Sequence, residues 1–250
     1  MAMTSKSRDT NGIRLSACRL VAVLALACGG VLVASPAQAV IDQSLLAAVL
    51  QNDAQKIANL ARQGTDLNGA NDQGMPPLHI ALQQDSWTAA QALIAQPKTD
   101  VNLANGNGET PLMLAAIKGR LDLVKLLIAR GAYVNREGWT PLHYAASNGQ
   151  PGQLPIIRLL LEQYAFINAR SPNDSTPLMM AAGYGSPEAV KLLIDEGAFL
   201  DVKNQQGMTA LDFASRTNRV DIAEIIGAAQ RAQFTGCLLY TSDAADDSLR

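Results

Sequence analysis

The feature that most constrains the fold of this chain is a short motif that recurs at nearly regular intervals. Residues 110–112 read Thr-Pro-Leu, and the same three residue types recur at 140–142 and 176–178. Weaker copies begin at 76 and 209. The leucines at 78, 112, 142, 178 and 211, one from each copy, lie 34, 30, 36 and 33 residues apart. Self-similarity at such a period predicts stacked units that pack mainly on their neighbours.

Residues 110–135 show what one unit is expected to form. Thr110 suits the N-cap of a helix, because its hydroxyl can accept a bond from a free backbone N–H. Pro111 suits the first helical position, where a missing N–H costs nothing. Gly119 and Gly131 are placed to end two successive helices. The pattern predicts two short helices and an exit loop, a unit too small to bury its own apolar face.

The paired motifs resemble the ankyrin-repeat family over residues 41–235. Thr-Pro-Leu-His-Tyr-Ala-Ala at 140–146 matches a first helix of that family, and Leu-Leu-Ile-Ala-Arg-Gly-Ala at 126–132 matches a second helix. The resemblance implies an all-α repeat solenoid, an ankyrin stack of helix-turn-helix units with β-hairpin-type loops. We expect a domain over 40–236 with about six repeats: 41–75, 76–109, 110–139, 140–175, 176–208 and 209–235.

Two irregularities fall together in the middle of the stack. The exit loop of the third repeat, 135–139, is about three residues shorter than its neighbours. The inter-helix turn of the fourth repeat is longer by about three residues at 150–155. We therefore expect the distinctive surface of the chain at the junction of the third and fourth repeats.

The first 39 residues have the pattern of a secretory signal peptide. Basic residues precede an uncharged apolar run over 20–34, and Ala37-Gln38-Ala39 provides a small-residue cleavage site. Cleavage is predicted after Ala39, so that the mature chain begins at Val40 in the periplasm. An uncleaved membrane anchor is an alternative, but the apolar run is short of the roughly 20 residues that span a bilayer. Lipidation of Cys28 is a second alternative.

The cysteines and the C-terminal tail lie apart from the repeats. Cys18 and Cys28 fall in the signal segment and Cys237 in the tail, so no disulfide is expected to stabilise the repeats. Residues 237–250 lack the repeat pattern and resemble the translation of a sequencing-library adaptor. We interpret this tail as non-native, with the natural sequence interrupted near Gly236.

Neither the composition nor the motifs indicate catalysis. The formal net charge of −2 argues against nucleic-acid binding. No nucleophile elbow, nucleotide loop or cluster with metal-ligand spacing is readable, so we expect no enzyme activity, metal or cofactor. Thr110, Thr140 and Thr176 are interpreted as structural motif residues. The resemblance implies that His79 and His143, the two histidines, bridge backbone groups of adjacent turns.

What remains is a binding surface. In ankyrin folds, partners commonly dock on the loop tips and on the inner face of the first helices. We predict that the matching positions contact a protein partner; Trp139 and Tyr184 are the expected anchors, because aromatic residues carry much of the energy of interfaces. The predicted partner-binding residues are Met75, Glu109, Ile117, Lys118, Trp139, Ser147, Asn148, Tyr184, Met208 and Arg216.

The function predicted from the sequence is a non-catalytic protein-protein interaction module exported to the periplasm, acting as a monomer with no membrane span in its mature chain. The alternative is an accessory factor that stabilises or delivers an envelope enzyme, with stress defence as one such setting. An enzyme in its own right is the third and least favoured possibility.

Overall fold

The computed structural model describes the backbone of residues 40–246 and the side chains of residues 40–233. The predicted signal segment, with the cleavage site and Cys28, lies outside the described residues, as do residues 247–250. The described backbone forms six pairs of α-helices and no strand. The helices are α1 (Gln43–Leu50), α2 (Ala54–Arg62), α3 (Pro77–Gln83), α4 (Trp87–Ala95), α5 (Pro111–Ile117), α6 (Leu121–Ala129), α7 (Pro141–Ala146), α8 (Gln153–Glu162), α9 (Pro177–Tyr184), α10 (Pro187–Asp195), α11 (Ala210–Arg216) and α12 (Val220–Asp246).

The pairs stack so that first helices pack on first helices and second helices on second helices. The row α1, α3, α5, α7, α9 and α11 forms one layer, and the row α2, α4, α6, α8, α10 and α12 forms the other. One continuous apolar core runs between the layers, with fully buried leucines such as Leu112, Leu127 and Leu142. This arrangement confirms the predicted all-α repeat solenoid.

Capping residues at the helix starts and glycines at the helix ends explain why the helices are short. Thr110 and Thr176 cap α5 and α9 with side-chain bonds from the N–H groups of Met113 and Met179, and a proline follows at the first helical position. Gly119 and Gly131 adopt φ of +70° and +84°, the left-handed region that ends a helix without a steric penalty.

Histidines in the first helices join neighbouring repeats. The backbone N–H of Thr140 donates to Nδ1 of His143 at 3.2 Å, so Nε2 carries the proton and donates to the Ser175 carbonyl of the next repeat at 2.9 Å. His79 donates from Nε2 to the Glu109 carbonyl in the same way. Nδ1 of His79 is without a hydrogen-bond partner among the described residues, because Pro76 has no N–H to offer.

Asparagines after the second helices form another connection between repeats. Asn102 donates from Nδ2 to the Gly131 carbonyl at 3.0 Å and accepts from the N–H of Tyr133 at 2.7 Å. Asn135 makes the same two bonds to Tyr164 and Phe166. The exit segments of the second and third repeats are therefore each joined to the corresponding segment of the next repeat.

The exit loops are compact turns, and the described backbone contains no β-hairpin strands in them. Asn71, Asn105 and Asn204 each close such a turn by accepting two backbone N–H groups through Oδ1. The shorter loop of the third repeat, 135–139, is not closed in this way, since Oδ1 of Asn135 accepts the N–H of Phe166 in the next repeat. Arg136 instead reaches back and donates to the Gly108 carbonyl at 2.8 Å.

The last helix continues past the repeat boundary. Helix α12 runs from Val220 to Asp246, and the predicted limit at Gly236 lies inside it. A single glycine costs a helix only about 1 kcal/mol, so it does not by itself end one. Among the described residues, no helix combines the length and the apolarity needed to cross a membrane.

Candidate functional site

A hollow opens where the first helices of the third, fourth and fifth repeats meet. We call it the central hollow; its volume is about 170 Å³. Helix α5 contributes to one wall, α7 to the floor and α9 to the opposite wall, with the end of the shortened loop above them. Its lining residues are Ile117, Trp139, His143, Tyr144, Ser147 and Met180.

Side-chain size along the first helices explains why the hollow forms here. Ile117, Ser147 and Gly183 occupy the same position of successive repeats, so the side chains become smaller from the third repeat to the fifth. Ser147 leaves space beside Ile117, and its hydroxyl donates to the Tyr144 carbonyl at 2.9 Å rather than pointing across the hollow. The half-buried Met180 closes the far side.

The aromatic rings of the central hollow are held in fixed positions. Trp139 meets His143 edge-on at a centroid distance of 5.3 Å and Tyr144 edge-on at 6.4 Å. Such edge-to-face contacts are favourable because the positive ring edge faces the negative ring face. His143 is fully buried and bonded at both ring nitrogens, so it anchors Trp139 from below.

A carboxylate at the rim orients the tyrosine. The Tyr144 hydroxyl donates to Oε1 of Glu109 at 3.0 Å, while Asn105 donates to Oε2 at 2.8 Å. Burial, together with the negative charge of Glu109 and this bond, raises the pKa of Tyr144 to about 12. The phenol is therefore a neutral donor at physiological pH, and the hollow has its shape before any partner arrives.

The structure brings together only some of the residues predicted to contact a partner. Ile117, Trp139 and Ser147 line the central hollow, and Glu109 lies at its rim. Asn148 is used internally, since its Nδ2 donates to the Ile117 carbonyl at 2.7 Å.

The remaining predicted residues lie outside the lining of the central hollow. Lys118 is exposed and pairs with Asp85 at 2.7 Å. Tyr184 is exposed at the end of α9. Met208 and Arg216 approach each other in the sixth repeat, with 3.6 Å between Sδ and Nη1.

Two predicted contact residues need correction. Met75 is only 8% exposed and belongs to the core, because its turn is tied to Asn71 and folds the side chain inward. Ile117 is half-buried against the wall of the central hollow, so only part of its side chain is open to a partner.

Tyr144 and Met180 line the central hollow, but neither was among the residues predicted from the sequence to contact a partner. They follow the His or Met of the motif, a position where Ile80 and Leu114 are buried in earlier repeats. The signal was a change of residue type at this position from aliphatic to larger or more polar side chains. Its meaning depends on the small residues of the neighbouring row, which linear spacing does not show.

The described residues contain no group of three or more His, Cys, Asp or Glu side chains arranged to hold a metal ion. His143 spends both ring nitrogens on structural bonds, and burial lowers its pKa to about 4, so it is unsuited to act as a general base. The lining of the central hollow is suited to contacts with an apolar or aromatic group.

Comparison with known proteins agrees with the repeat fold described above. The family model described as ankyrin repeats in three copies matches residues 86–171 and 153–234. The chain belongs to the ankyrin-repeat family. No catalytic family is indicated, and the family makes the chain a protein-protein interaction module. The comparison with curated proteins gives no match.

Among solved structures, the chain is similar to the immunity protein Bd3460 in its complex with the Bd0816 predatory endopeptidase from Bdellovibrio bacteriovorus. The two share 31% sequence identity with a TM-score of 0.62, over 75% of this chain and 98% of that chain. That neighbour is itself an ankyrin-type protein seen bound to an enzyme.

We predict that His143→Met makes folding less sensitive to acid. Burial lowers the pKa of His143 from 6.5 to about 4. Between these two pH values the imidazole is protonated in the unfolded chain but neutral in the folded chain, so acidification favours unfolding. Wild-type stability should fall by about 2 kcal/mol between pH 7 and pH 5 through this residue alone. Methionine suits the position, because Met113 and Met179 occupy it in the flanking repeats.

Urea unfolding at pH 7, 6 and 5 measures the difference. The variant should start from lower stability at pH 7, since Ser175 loses its donor, and should lose less on acidification. Parallel stability profiles for the two proteins would contradict the assigned environment of His143.

Proposed function

We propose that this chain is exported to the periplasm and binds a protein partner there as a monomer, through the central hollow and the loop tips beside it. The observation that carries the proposal is the preformed hollow, in which Trp139 and Tyr144 are fixed by His143 and Glu109. A rigid aromatic site loses little conformational entropy when a partner side chain enters it. Aromatic residues in such sites commonly supply much of the binding energy.

Export is supported by the sequence pattern together with the start of the repeat domain. Cleavage after Ala39 would leave Val40 and Ile41 at the mature N-terminus. Ile41 is buried, and its N–H donates to the Ala70 carbonyl at 3.0 Å, so this terminus would be fastened to the first exit loop.

An enzyme is the favoured class of partner. The support is the structural neighbour, an immunity protein in complex with an endopeptidase. Two roles fit an enzyme partner. The chain either holds its partner in a bound complex, or it acts as an accessory factor that stabilises or delivers an envelope enzyme.

Export predicts a defined mature chain. Mass spectrometry of the protein recovered from the periplasmic fraction should give an N-terminus at Val40. A diacylated N-terminal Cys28, or full-length protein retained in the cytoplasm, would contradict this part of the proposal.

The central hollow predicts a selective effect of one tryptophan. Trp139→Ala should weaken partner binding by roughly 2–4 kcal/mol, or about 30- to 1000-fold, because it removes a wall of the hollow. Trp87→Ala is the matched control. Trp87 is also half-buried, but it lies under Arg120, 4.2 Å from the guanidinium carbon to the ring centroid, and does not line the hollow.

The partner itself is obtained by photocrosslinking in intact cells, with benzoylphenylalanine in place of Met180. Calorimetric titration of that partner then compares the variants, and circular dichroism verifies that the helices persist. Equal affinity of Trp139→Ala and wild type would show that the partner uses another face. If the partner enzyme loses activity in cells lacking this chain, the accessory role is favoured; if it gains activity, the chain acts as an inhibitor.

A further inference from the structure

Three exposed aromatic side chains recur at an interval of one repeat on a different part of the surface. Tyr133, Phe166 and Phe199 are 66%, 65% and 64% exposed and lie 33 residues apart. Each comes four residues after the end of a second helix, α6, α8 or α10. We call these three residues the aromatic column.

The backbone of the aromatic column is rigidly tied. The N–H groups of Tyr133, Phe166 and Phe199 donate to Oδ1 of an asparagine in the preceding repeat at 2.7, 2.8 and 2.9 Å. Asn135, which holds Phe166, comes two residues after Tyr133, so the aromatic positions are neighbours along the stack. Their exposure is therefore a property of a fixed backbone.

The first two repeats use the same position differently. Asp66 and Asp100 stand there, and each accepts the N–H of the asparagine two residues later, at 2.9 and 2.8 Å. The aromatic residues give up this turn-stabilising bond and leave most of their apolar surface in water. Large apolar side chains that recur in exposed positions on one row of the stack are typical of an interaction site.

Tyr164, two residues before Phe166, adds a further exposed ring at a cost in backbone energy. It is 84% exposed and adopts φ of +61°, in the position that Gly64, Gly131 and Gly197 occupy in other repeats. A left-handed conformation costs a non-glycine residue roughly 1–2 kcal/mol. The chain keeps a large exposed ring where a glycine would relieve the strain.

Basic side chains accompany the aromatic column. Arg136, Arg170 and Lys203 are exposed and follow the three aromatic residues by three or four positions. The shortened exit loop of the third repeat leaves a second hollow of about 440 Å³, the junction hollow, in which Arg136, Phe166 and Arg170 meet. Glu137 is the acidic residue in its lining.

Both arginines of the junction hollow keep hydrogen-bonding capacity for a ligand. Arg136 uses Nη1 for the Gly108 carbonyl at 2.8 Å, and Arg170 has a loose ion pair with Asp174 at 3.7 Å. A guanidinium has five N–H donors, so each arginine can still bind a carboxylate.

We propose that the aromatic column and the junction hollow bind an extended, acidic protein segment. Its apolar side chains lie against the aromatic residues, and its carboxylates bind the flanking basic residues. The junction hollow shares no lining residue with the central hollow, and the proposal names a class of ligand that the function proposed above does not.

The charges of this surface disfavour a membrane, a nucleic acid or a second copy of the chain as the ligand. Three basic residues are fewer than the clusters of four to eight that are typical of anionic-membrane binding. The net charge of −2 likewise disfavours nucleic acid, whose binding depends on neutralising many phosphates. A second copy of the chain in a symmetric contact would place the basic set Arg136, Arg170 and Lys203 opposite the same basic set of its partner, which is repulsive.

The test is fluorescence anisotropy with labelled 12-residue peptides. The probe contains four glutamates, three phenylalanines and five serines; a second peptide has lysine for glutamate, and a third has serine for phenylalanine. Wild type should bind the probe at least tenfold more tightly than either of the others, with affinity falling as salt is added. The triple variant Tyr133→Asp, Phe166→Asp, Phe199→Asp should lose at least tenfold in affinity for the probe.

Aspartate keeps the variant folded, because the chain itself places it at this position in two repeats; circular dichroism verifies this. Trp139→Ala should bind the probe like wild type, so a failure of this proposal is distinguishable from a failure at the central hollow. Binding of the lysine peptide, unchanged binding by the triple variant, or no binding of the probe at all would overturn the proposal. So would preferential binding to phosphatidylglycerol vesicles, or concentration-dependent dimerisation abolished by the triple variant.

Discussion

The stack depends on the joining of each helix pair to its neighbours, through a shared apolar core and, at several junctions, through side-chain hydrogen bonds. A single helix pair cannot bury its apolar face, and the stack supplies the missing surface. Side chains then fix the spacing between repeats. Histidines of the first helices donate to a carbonyl of the next turn. Asparagines after the second helices form hydrogen bonds to the backbone of the next exit segment, and we call these bonds the asparagine clasp. Since Asn135 makes both of its bonds to the fourth repeat, the clasp persists even where the third exit loop is short.

This clasp lets the stack tolerate an irregular junction. In the loop at 135–139, Oδ1 of Asn135 bonds to the next repeat and does not close its own turn, yet Trp139 is still held by His143 and Tyr144. The shortening opens the junction hollow on one part of the surface, while small side chains open the central hollow on another. Rigid helices on either side keep both shapes in place, which is the condition for binding without a large entropic loss.

The fold was predictable because its signals are local. A capping threonine, a proline after it and glycines at helix ends act within a few residues, and their recurrence reveals the stack. The short loop at 135–139 was readable for the same reason. The candidate site was predicted only in part, because burial in a stack depends on residues about 30 positions away.

Met75 and Tyr144 illustrate this limit. Met75 occupies the same position as Trp139 in its own repeat, but its turn points it into the core. Tyr144 lines the central hollow because the small side chain of Ser147 leaves space beside Ile117 of the preceding repeat. The aromatic column could have been read from the sequence by aligning the positions after each second helix, where aspartate gives way to an aromatic residue.

The most direct test of this account is native-state hydrogen exchange at the backbone amides of Tyr133, Phe166 and Phe199. These residues lie in surface loops with exposed side chains, so loop position alone predicts fast exchange. The asparagine clasp predicts slow exchange, comparable with amides inside the flanking helices, because opening requires neighbouring repeats to separate. Exchange at the rate of an unstructured peptide would show that the repeats are not joined in this way.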